Sequence, residues 1–207
     1  VGLAVSPARF KEGEQWTAVA ALLGGGLAGF SWGLLGSALA RTALAAVGQR
    51  AAALGGAHPR RAEALVWEGI ALSSEAGARG GLGALKLAKQ ARQRLEASLA
   101  LDAAALDGSA YTSLATLYHK VPGFPLGFGS DDKARDLFAR ALAVNPAGLD
   151  ANFFYAEFLL DEGRGAEAEA HLARALAAPP RPGRELADRG RREEAQALLV
   201  RARAGRS

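Results

Sequence analysis

Residues 151–160 read ANFFYAEFLL, residues 161–165 read DEGRG, and residues 166–178 read AEAEAHLARALAA. Apolar side chains recur every three or four positions on both sides of DEGRG, which is the spacing of an amphipathic helix. The two glycines in DEGRG favour a turn between the two periodic segments. The whole stretch therefore predicts a helical hairpin.

The end of this hairpin occurs in similar form at two earlier places in the chain. Residues 98–103 read SLALDA, residues 141–146 read ALAVNP and residues 175–180 read ALAAPP, and each follows a segment with the pattern of two amphipathic helices. One hairpin alone leaves its apolar face open to water, whereas stacked hairpins share a continuous core. We therefore predict an all-α solenoid of three hairpins, in which the segment from Arg189 to Ala204 forms a C-terminal capping helix.

The third hairpin resembles a tetratricopeptide repeat. Gly163 stands where that repeat closes its first helix, and Ala156 and Ala168 stand where its two helices cross. Small side chains suit a crossing because packed helix axes lie only about 8–10 Å apart. At the two ends of the hairpin, Asp150 is expected to cap the first helix and Pro180 to stop the second.

Two hairpins contain more residues between their helices than the repeat needs. Register counting leaves ten extra residues around 73–83 in the first hairpin and seven within 121–130 in the second. The second insertion has two prolines and three glycines, which forbid a helix, yet Phe124, Leu126 and Phe128 are too apolar for an idle solvated loop. Insertions at matching places in a solenoid map to one face, so we predict two enlarged turns that form a partner-binding edge.

Aromatic side chains recur at helical spacing along the predicted hairpins. Such a pattern is typical of core packing, and the alternative is a ligand-facing role on the concave side of the solenoid. Combined with the apolar loop, this second possibility gives our candidate ligand- and partner-binding residues, which are Trp67, Tyr111, Tyr118, Phe124, Leu126, Phe128, Asn152 and Tyr155.

The net charge of +4 is located at the C-terminus. Residues 181–207 hold eight arginines against four acids, which accounts for all of it. A neutral body does not offer the broad basic face that nucleic acids need, so we predict no nucleic-acid partner. The arginine excess of the segment from Arg189 to Ala204 is interpreted as the solvated face of the capping helix, and the alternative is docking to an acidic partner or to an anionic lipid surface.

The sequence has no pattern of chemical catalysis. Cysteine is absent, which excludes disulfides and thiol chemistry. His58, His119 and His171 have no metal-ligand spacing and are expected at the surface or in loops. We therefore predict a binding protein that is not an enzyme and holds no metal and no cofactor.

The N-terminal segment is apolar and rich in glycine. Twenty-six uncharged residues separate Glu14 from Arg41, and about 20 apolar residues suffice to span a bilayer, but six glycines weaken that interpretation. Three interpretations remain open: an export signal cleaved after Ala38-Leu39-Ala40, an anchor that associates the protein with a membrane, or a pair of core helices that begins the array. We divide the chain into this segment, residues 1–57, and a tetratricopeptide-like repeat domain, residues 58–207.

Four motifs together resemble the TatT family, the tetratricopeptide-type accessory component associated with TRAP transporters for organic acids. They are LVWEGI at 65–70, DGSAYTSL at 107–114, VPGFPLGFG at 121–129 and APPRPGR at 178–184, and the resemblance covers about residues 61–203. It implies a periplasmic, often lipid-anchored helical protein that binds a solute-binding protein and shelters an apolar organic-acid ligand in a central channel.

The resemblance thus predicts a non-catalytic accessory protein of the periplasm or cell envelope with a protein partner and a small apolar ligand. The repeats alone leave an alternative, which is a general scaffold that binds a peptide or protein in cell-envelope assembly.

Overall fold

The computed structural model describes residues 46, 48–50, 53–58, 60–79 and 81–204 of the 207-residue chain. The uncharged stretch 15–40 and its three interpretations lie outside the described residues, and the boundary between residues 57 and 58 stays a prediction. Seven numbered helices follow in the described part of the chain: α1 Ala62–Arg79, α2 Gly81–Leu101, α3 Ala105–Lys120, α4 Asp131–Val144, α5 Leu149–Asp161, α6 Gly165–Leu176 and α7 Glu185–Ala204.

The helices pack as three consecutive hairpins, α1 with α2, α3 with α4, and α5 with α6, and α7 packs on the last one. The first helices of the hairpins also touch one another in order, because α1 contacts α3, α3 contacts α5 and α5 contacts α7. We call these four helices the inner layer. The arrangement confirms the predicted all-α hairpin solenoid with a C-terminal capping helix.

The hairpins are held together where small side chains let the helices approach closely. Ala115 of α3, Ala134 of α4, Ala156 of α5 and Ala168 of α6 are all fully buried. Large apolar side chains, among them Phe138, fill the space beside these contacts. Ala156 and Ala168 are thus buried as expected for positions at which two helices cross.

The predicted enlarged turn in the first hairpin is wrong. α1 continues to Arg79 and α2 begins at Gly81, so the extra residues lengthen both helices. Ser73 and Ser74 fit inside the helix because their hydroxyls donate to the carbonyls of Gly69 and Ile70, 2.9 and 3.0 Å away. The expected pair of enlarged turns on one edge is therefore reduced to the single loop between α3 and α4.

The start of α3 departs from regular helix geometry. Leu106, Asp107 and Gly108 have φ values of 49°, 56° and 74°, so three successive residues are left-handed. Gly108 also lies close to α4, because a Cβ atom on it would come within 3.1 Å of the Val144 side chain. The regular helix begins after this turn.

Within the described residues, every helix is too short or too polar to cross a membrane.

A matched pair of alanine substitutions on α1 tests the packing of the first hairpin. A Cβ atom on Gly69 would lie 2.6 Å from Cγ of the buried Leu95, whereas nothing lies within 4 Å of one on Gly77. Gly69→Ala should therefore lower the free energy of unfolding by about 1–3 kcal/mol through overpacking. Gly77→Ala should raise it by up to about 1 kcal/mol through helix propensity. Urea denaturation measures both, and equal effects would contradict the close crossing.

Candidate functional site

Side chains from all four inner-layer elements converge on one small cavity. Its volume is about 50 Å³, and we call it the inner cavity. The residues on each helix recur at three- or four-residue spacing, which places them on a single helix face. The lining residues are Trp67, Ile70, Leu106, Ser109, Thr112, Ser113, Asp150, Phe154, Arg184 and Arg191.

The left-handed turn before the regular part of α3 places an apolar side chain in this cavity. Leu106, with its φ of 49°, is one of the lining residues, and Ser109 donates its hydroxyl hydrogen to the Leu106 carbonyl. Non-glycine residues enter the left-handed region only at a cost of about 1–2 kcal/mol each. Strain of this kind is concentrated at binding sites, where the surrounding structure holds it in place.

Asp150 is the centre of the charged side of the cavity. Its Oδ1 accepts a hydrogen bond from Arg191 Nε at 3.1 Å, and its Oδ2 accepts one from Arg181 Nη1 at 2.7 Å. Burial alone would raise the pKa of Asp150, but the guanidinium groups of Arg191 and Arg181 outweigh it and hold the pKa below 3.8. The predicted capping role of Asp150 is wrong, since the N-cap of α5 is Gly148 and forms no side-chain cap bond.

Two C-terminal arginines are structural, and one of them, Arg191, was expected on a solvated face. Arg191 has only 3% of its side chain exposed, and its guanidinium carbon lies 4.6 and 4.5 Å from the ring centres of Phe153 and Phe154. Arg181 binds Asp188, itself almost fully buried, through Nε at 2.9 Å and through its backbone N–H at 3.1 Å. These contacts join α7 and the segment before it to α5.

Arg184 is held more loosely than its two neighbours. Its Nη2 lies 3.9 Å from Asp150 Oδ2, and its guanidinium carbon lies 5.7 Å from the centre of the Trp67 ring. Its Nε is buried and has no hydrogen-bond acceptor among the residues that the structure describes. Burial and the positive charge of Arg181 lower the pKa of Arg184.

The loop of residues 121–130, called here the 121–130 loop, is closed by its own backbone hydrogen bonds. Gly127 N–H donates to the Gly123 carbonyl at 3.0 Å, and Gly129 N–H donates to the Pro122 carbonyl at 2.9 Å. A Cβ atom on Gly129 would overlap the Val121 carbonyl, so this close approach requires glycine. The loop therefore has a defined conformation that its own backbone hydrogen bonds stabilise.

The three apolar residues predicted as anchors in this loop have different surroundings. Phe124 is 94% exposed and Leu126 is 74% exposed. Phe128 instead turns towards α3, where its ring meets Tyr118 edge-on at 5.5 Å, and Arg92 lies 4.6 Å over it. Phe128 thus fastens the loop, while Phe124 and Leu126 are presented to solvent.

Ion pairs fix the helix ends from which the loop starts. His119 lies 2.8 Å from Asp131 through Nδ1 and 2.9 Å from Asp161 through Nε2. Lys120 Nζ lies 3.2 Å from Glu157 and 3.0 Å from Asp161. Burial raises the pKa of Asp161, but hydrogen bonds from His119 and Lys120 outweigh it and leave the pKa lowered. His119 and His171 lie within helices and are half-buried, so neither is a loop residue.

The residues predicted for binding do not form one site. Trp67 lines the inner cavity, and Phe124 and Leu126 lie at the exposed part of the loop. Tyr118 and Asn152 are buried, and Asn152 donates to the carbonyls of Pro146 and Gly148 at 2.9 Å. Tyr155 packs against Phe138, Phe158 and His171, and Tyr111 is half-buried on α3.

Sequence reasoning missed the ionic half of the inner cavity, namely Asp150, Arg184 and Arg191. The spacing of Arg184, Asp188 and Arg191 along the chain is that of one helix face, and this signal was available. Arg191 was instead placed on a solvated face, because its partner, Asp150, lies far away in sequence.

Part of the chain matches a known family model. The model described as tetratricopeptide repeat matches residues 129–187, which include α4, α5 and α6. No curated protein is similar in sequence to the chain. Over the ranges that the structure describes, no group of three His, Asp or Glu side chains is arranged to hold a metal ion.

Asp150→Asn tests the ion-pair centre. Folding lowers the pKa of Asp150 from its ordinary value of 3.8. The stabilisation that the Asp150 carboxylate contributes is therefore complete above pH 3.8, and it is lost as the pH falls through the lower pKa of the folded state. The substitution should reduce the free energy of unfolding by about 2–3 kcal/mol at neutral pH, since it leaves Arg191 buried with a weaker partner. The difference from the parent protein should shrink at about pH 3. The control is Asp132→Asn, whose side chain is almost fully exposed and should matter by less than about 0.5 kcal/mol.

Two alanine substitutions distinguish Phe128, which packs the 121–130 loop against α3, from Phe124, which is exposed to solvent. Phe128→Ala should cost about 1–2 kcal/mol in chemical denaturation, because it removes the ring packed on Tyr118. Phe124→Ala should change stability by less than about 0.5 kcal/mol, since the ring is exposed. A reversed order would show that the loop packs differently.

Proposed function

We propose that this protein is a non-catalytic accessory protein of the periplasm or cell envelope, of the TatT type, that binds a solute-binding protein through the 121–130 loop. The observation that supports it is the exposure of Phe124 and Leu126 on a loop closed by its own hydrogen bonds. Burying a side chain of this size in an interface contributes about 1.5–3 kcal/mol. Anchors held in place beforehand lose little entropy on binding, which favours their use as a hot spot.

The matched repeat supports the protein-binding part of this proposal. Tetratricopeptide-type hairpins stack into solenoids whose extended surfaces recognise other proteins, and such domains are generally scaffolds without catalytic activity. The TRAP-transporter association and the envelope location rest on the four motifs described above, including the sequence of the 121–130 loop itself.

The inner cavity supports the second part of the proposal, a small apolar organic acid as ligand. Its apolar lining comes from Trp67, Ile70, Leu106 and Phe154. Ligand sites in proteins are mostly apolar with a few placed polar groups, and this cavity has both kinds of lining.

A general scaffold that binds a peptide remains the second candidate, and the tetratricopeptide match favours it. Native mass spectrometry of the purified protein distinguishes the two functions. A co-purifying small acid supports the transporter accessory role, and an empty protein that binds a peptide supports the scaffold.

Loss of the two displayed side chains tests the partner surface. The Phe124→Ser/Leu126→Ser double variant should keep its helical circular dichroism and bind the solute-binding protein encoded nearest its gene about a hundredfold more weakly, because two buried anchors are lost. Isothermal titration with the purified partner measures the change. The matched control is Leu186→Ser/Val200→Ser, which removes two exposed apolar side chains of α7 and should leave affinity unchanged. Equal affinity of the double variant and the parent protein would refute the site.

A further inference from the structure

Arg184 lines the inner cavity and has an unused hydrogen-bond donor. Its side chain is 22% exposed, yet the Nε atom is buried and meets no acceptor in the described part of the chain. A buried donor without an acceptor is destabilising, and more so when the group is charged. A ligand with an acceptor for this N–H would recover that cost.

The neighbouring acids do not supply this acceptor. Both carboxylate oxygens of Asp150 already accept from Arg191 and Arg181. Asp188 is bound by Arg181, and Glu194 is bound by Arg191. In the described part of the chain, the one acid that Arg184 contacts is therefore Asp150, at the long distance of 3.9 Å.

The shape of the donor and the size of the cavity select the ligand group. A guanidinium presents two parallel N–H groups in a plane, which matches the two oxygens of a carboxylate. Thr112 and Ser113 line the same cavity, and their hydroxyls can donate hydrogen bonds to such a group. A volume of about 50 Å³ is well below the roughly 300–1,000 Å³ of complete ligand pockets, so it suits a head group only.

The charge of Asp150 limits the anion to a single negative charge. Asp150 lines the cavity as a carboxylate, and like charges at close range repel each other. A dianion such as phosphate meets this repulsion twice, whereas a carboxylate meets it once. The apolar lining by Trp67 and Leu106 also favours a ligand with a hydrocarbon part next to its head group.

We propose that the inner cavity binds the carboxylate head group of an apolar monocarboxylic acid, with the Arg184 guanidinium as its principal partner. This inference rests on the ligand-binding part of the proposed function and adds the group of the ligand that is recognised and the residue that recognises it. The serine and threonine hydroxyls complete the hydrogen bonding, and the ring of Trp67 covers one side of the arginine.

Octanoate and its neutral analogue octanamide test the proposal on the full chain by isothermal titration. Octanoate should bind at least about tenfold more tightly than octanamide, since charge-assisted hydrogen bonds contribute more than neutral ones. Arg184→Gln should remove this preference, so that octanoate binding falls by about tenfold or more and octanamide binding stays the same. The matched control is Arg189→Gln, which neutralises an exposed arginine of α7 and should leave both affinities unchanged.

A second measurement needs no variant. In the ¹⁵N NMR spectrum of the parent protein, octanoate should shift the Arg184 Nε–H resonance, and octanamide should not.

Four results would each overturn the proposal: no octanoate binding, equal binding of octanoate and octanamide, octanoate binding that Arg184→Gln leaves unchanged, or tighter binding of inorganic phosphate. Binding of an acetylated Leu-Leu dipeptide with a free C-terminus in the absence of octanoate binding would also overturn it, in favour of a peptide carboxylate. The titration with the solute-binding protein tests the 121–130 loop and not the inner cavity. Its outcome is therefore independent of the octanoate results and shows separately whether the proposed function fails.

Discussion

Close approach of helices at small residues is the constraint on which the architecture depends. Gly69 lets α1 rest on Leu95, and buried alanines such as Ala115 and Ala156 mark the inner-layer helices of the next two hairpins. Successive inner-layer helices contact one another. Side chains from α1, α3, α5, α7 and the residue just before α7 therefore reach a common cavity. Bulkier residues at these points would separate the layers and remove the cavity along with the packing.

α3 connects two surfaces of different character. Its first turns carry Leu106 to Ser113 at the inner cavity, and its last residue, Lys120, leads into the 121–130 loop. The cavity is ionic on one side, whereas the loop presents bare hydrocarbon to solvent. The two surfaces share a helix but no residue, so the proposed ligand site and the proposed partner site do not overlap.

Periodicity and small residues were sufficient to predict the hairpins, because both signals are local. The first inserted turn was mispredicted because register counting gives the number of extra residues but not their conformation, and Ser73 and Ser74 satisfy their hydroxyls inside a helix. The exposed apolar side chains of the 121–130 loop followed from its composition. The ion pair between Asp150 and Arg191 did not, since it joins residues 41 positions apart and only the folded stack brings them together.

The left-handed residues at 106 and 107 give the chain backbone strain next to its cavity. Glycine adopts that backbone freely, and Gly108 beside them does so, yet the two preceding positions hold leucine and aspartate. Glycine at either position would adopt this backbone conformation with less strain. It would also remove a side chain, and at position 106 that is the leucine side chain that lines the cavity. The chain thus tolerates a conformational penalty to retain a hydrocarbon surface in the cavity wall, and glycine at position 106 would relieve the strain but remove both that surface and its packing against the core.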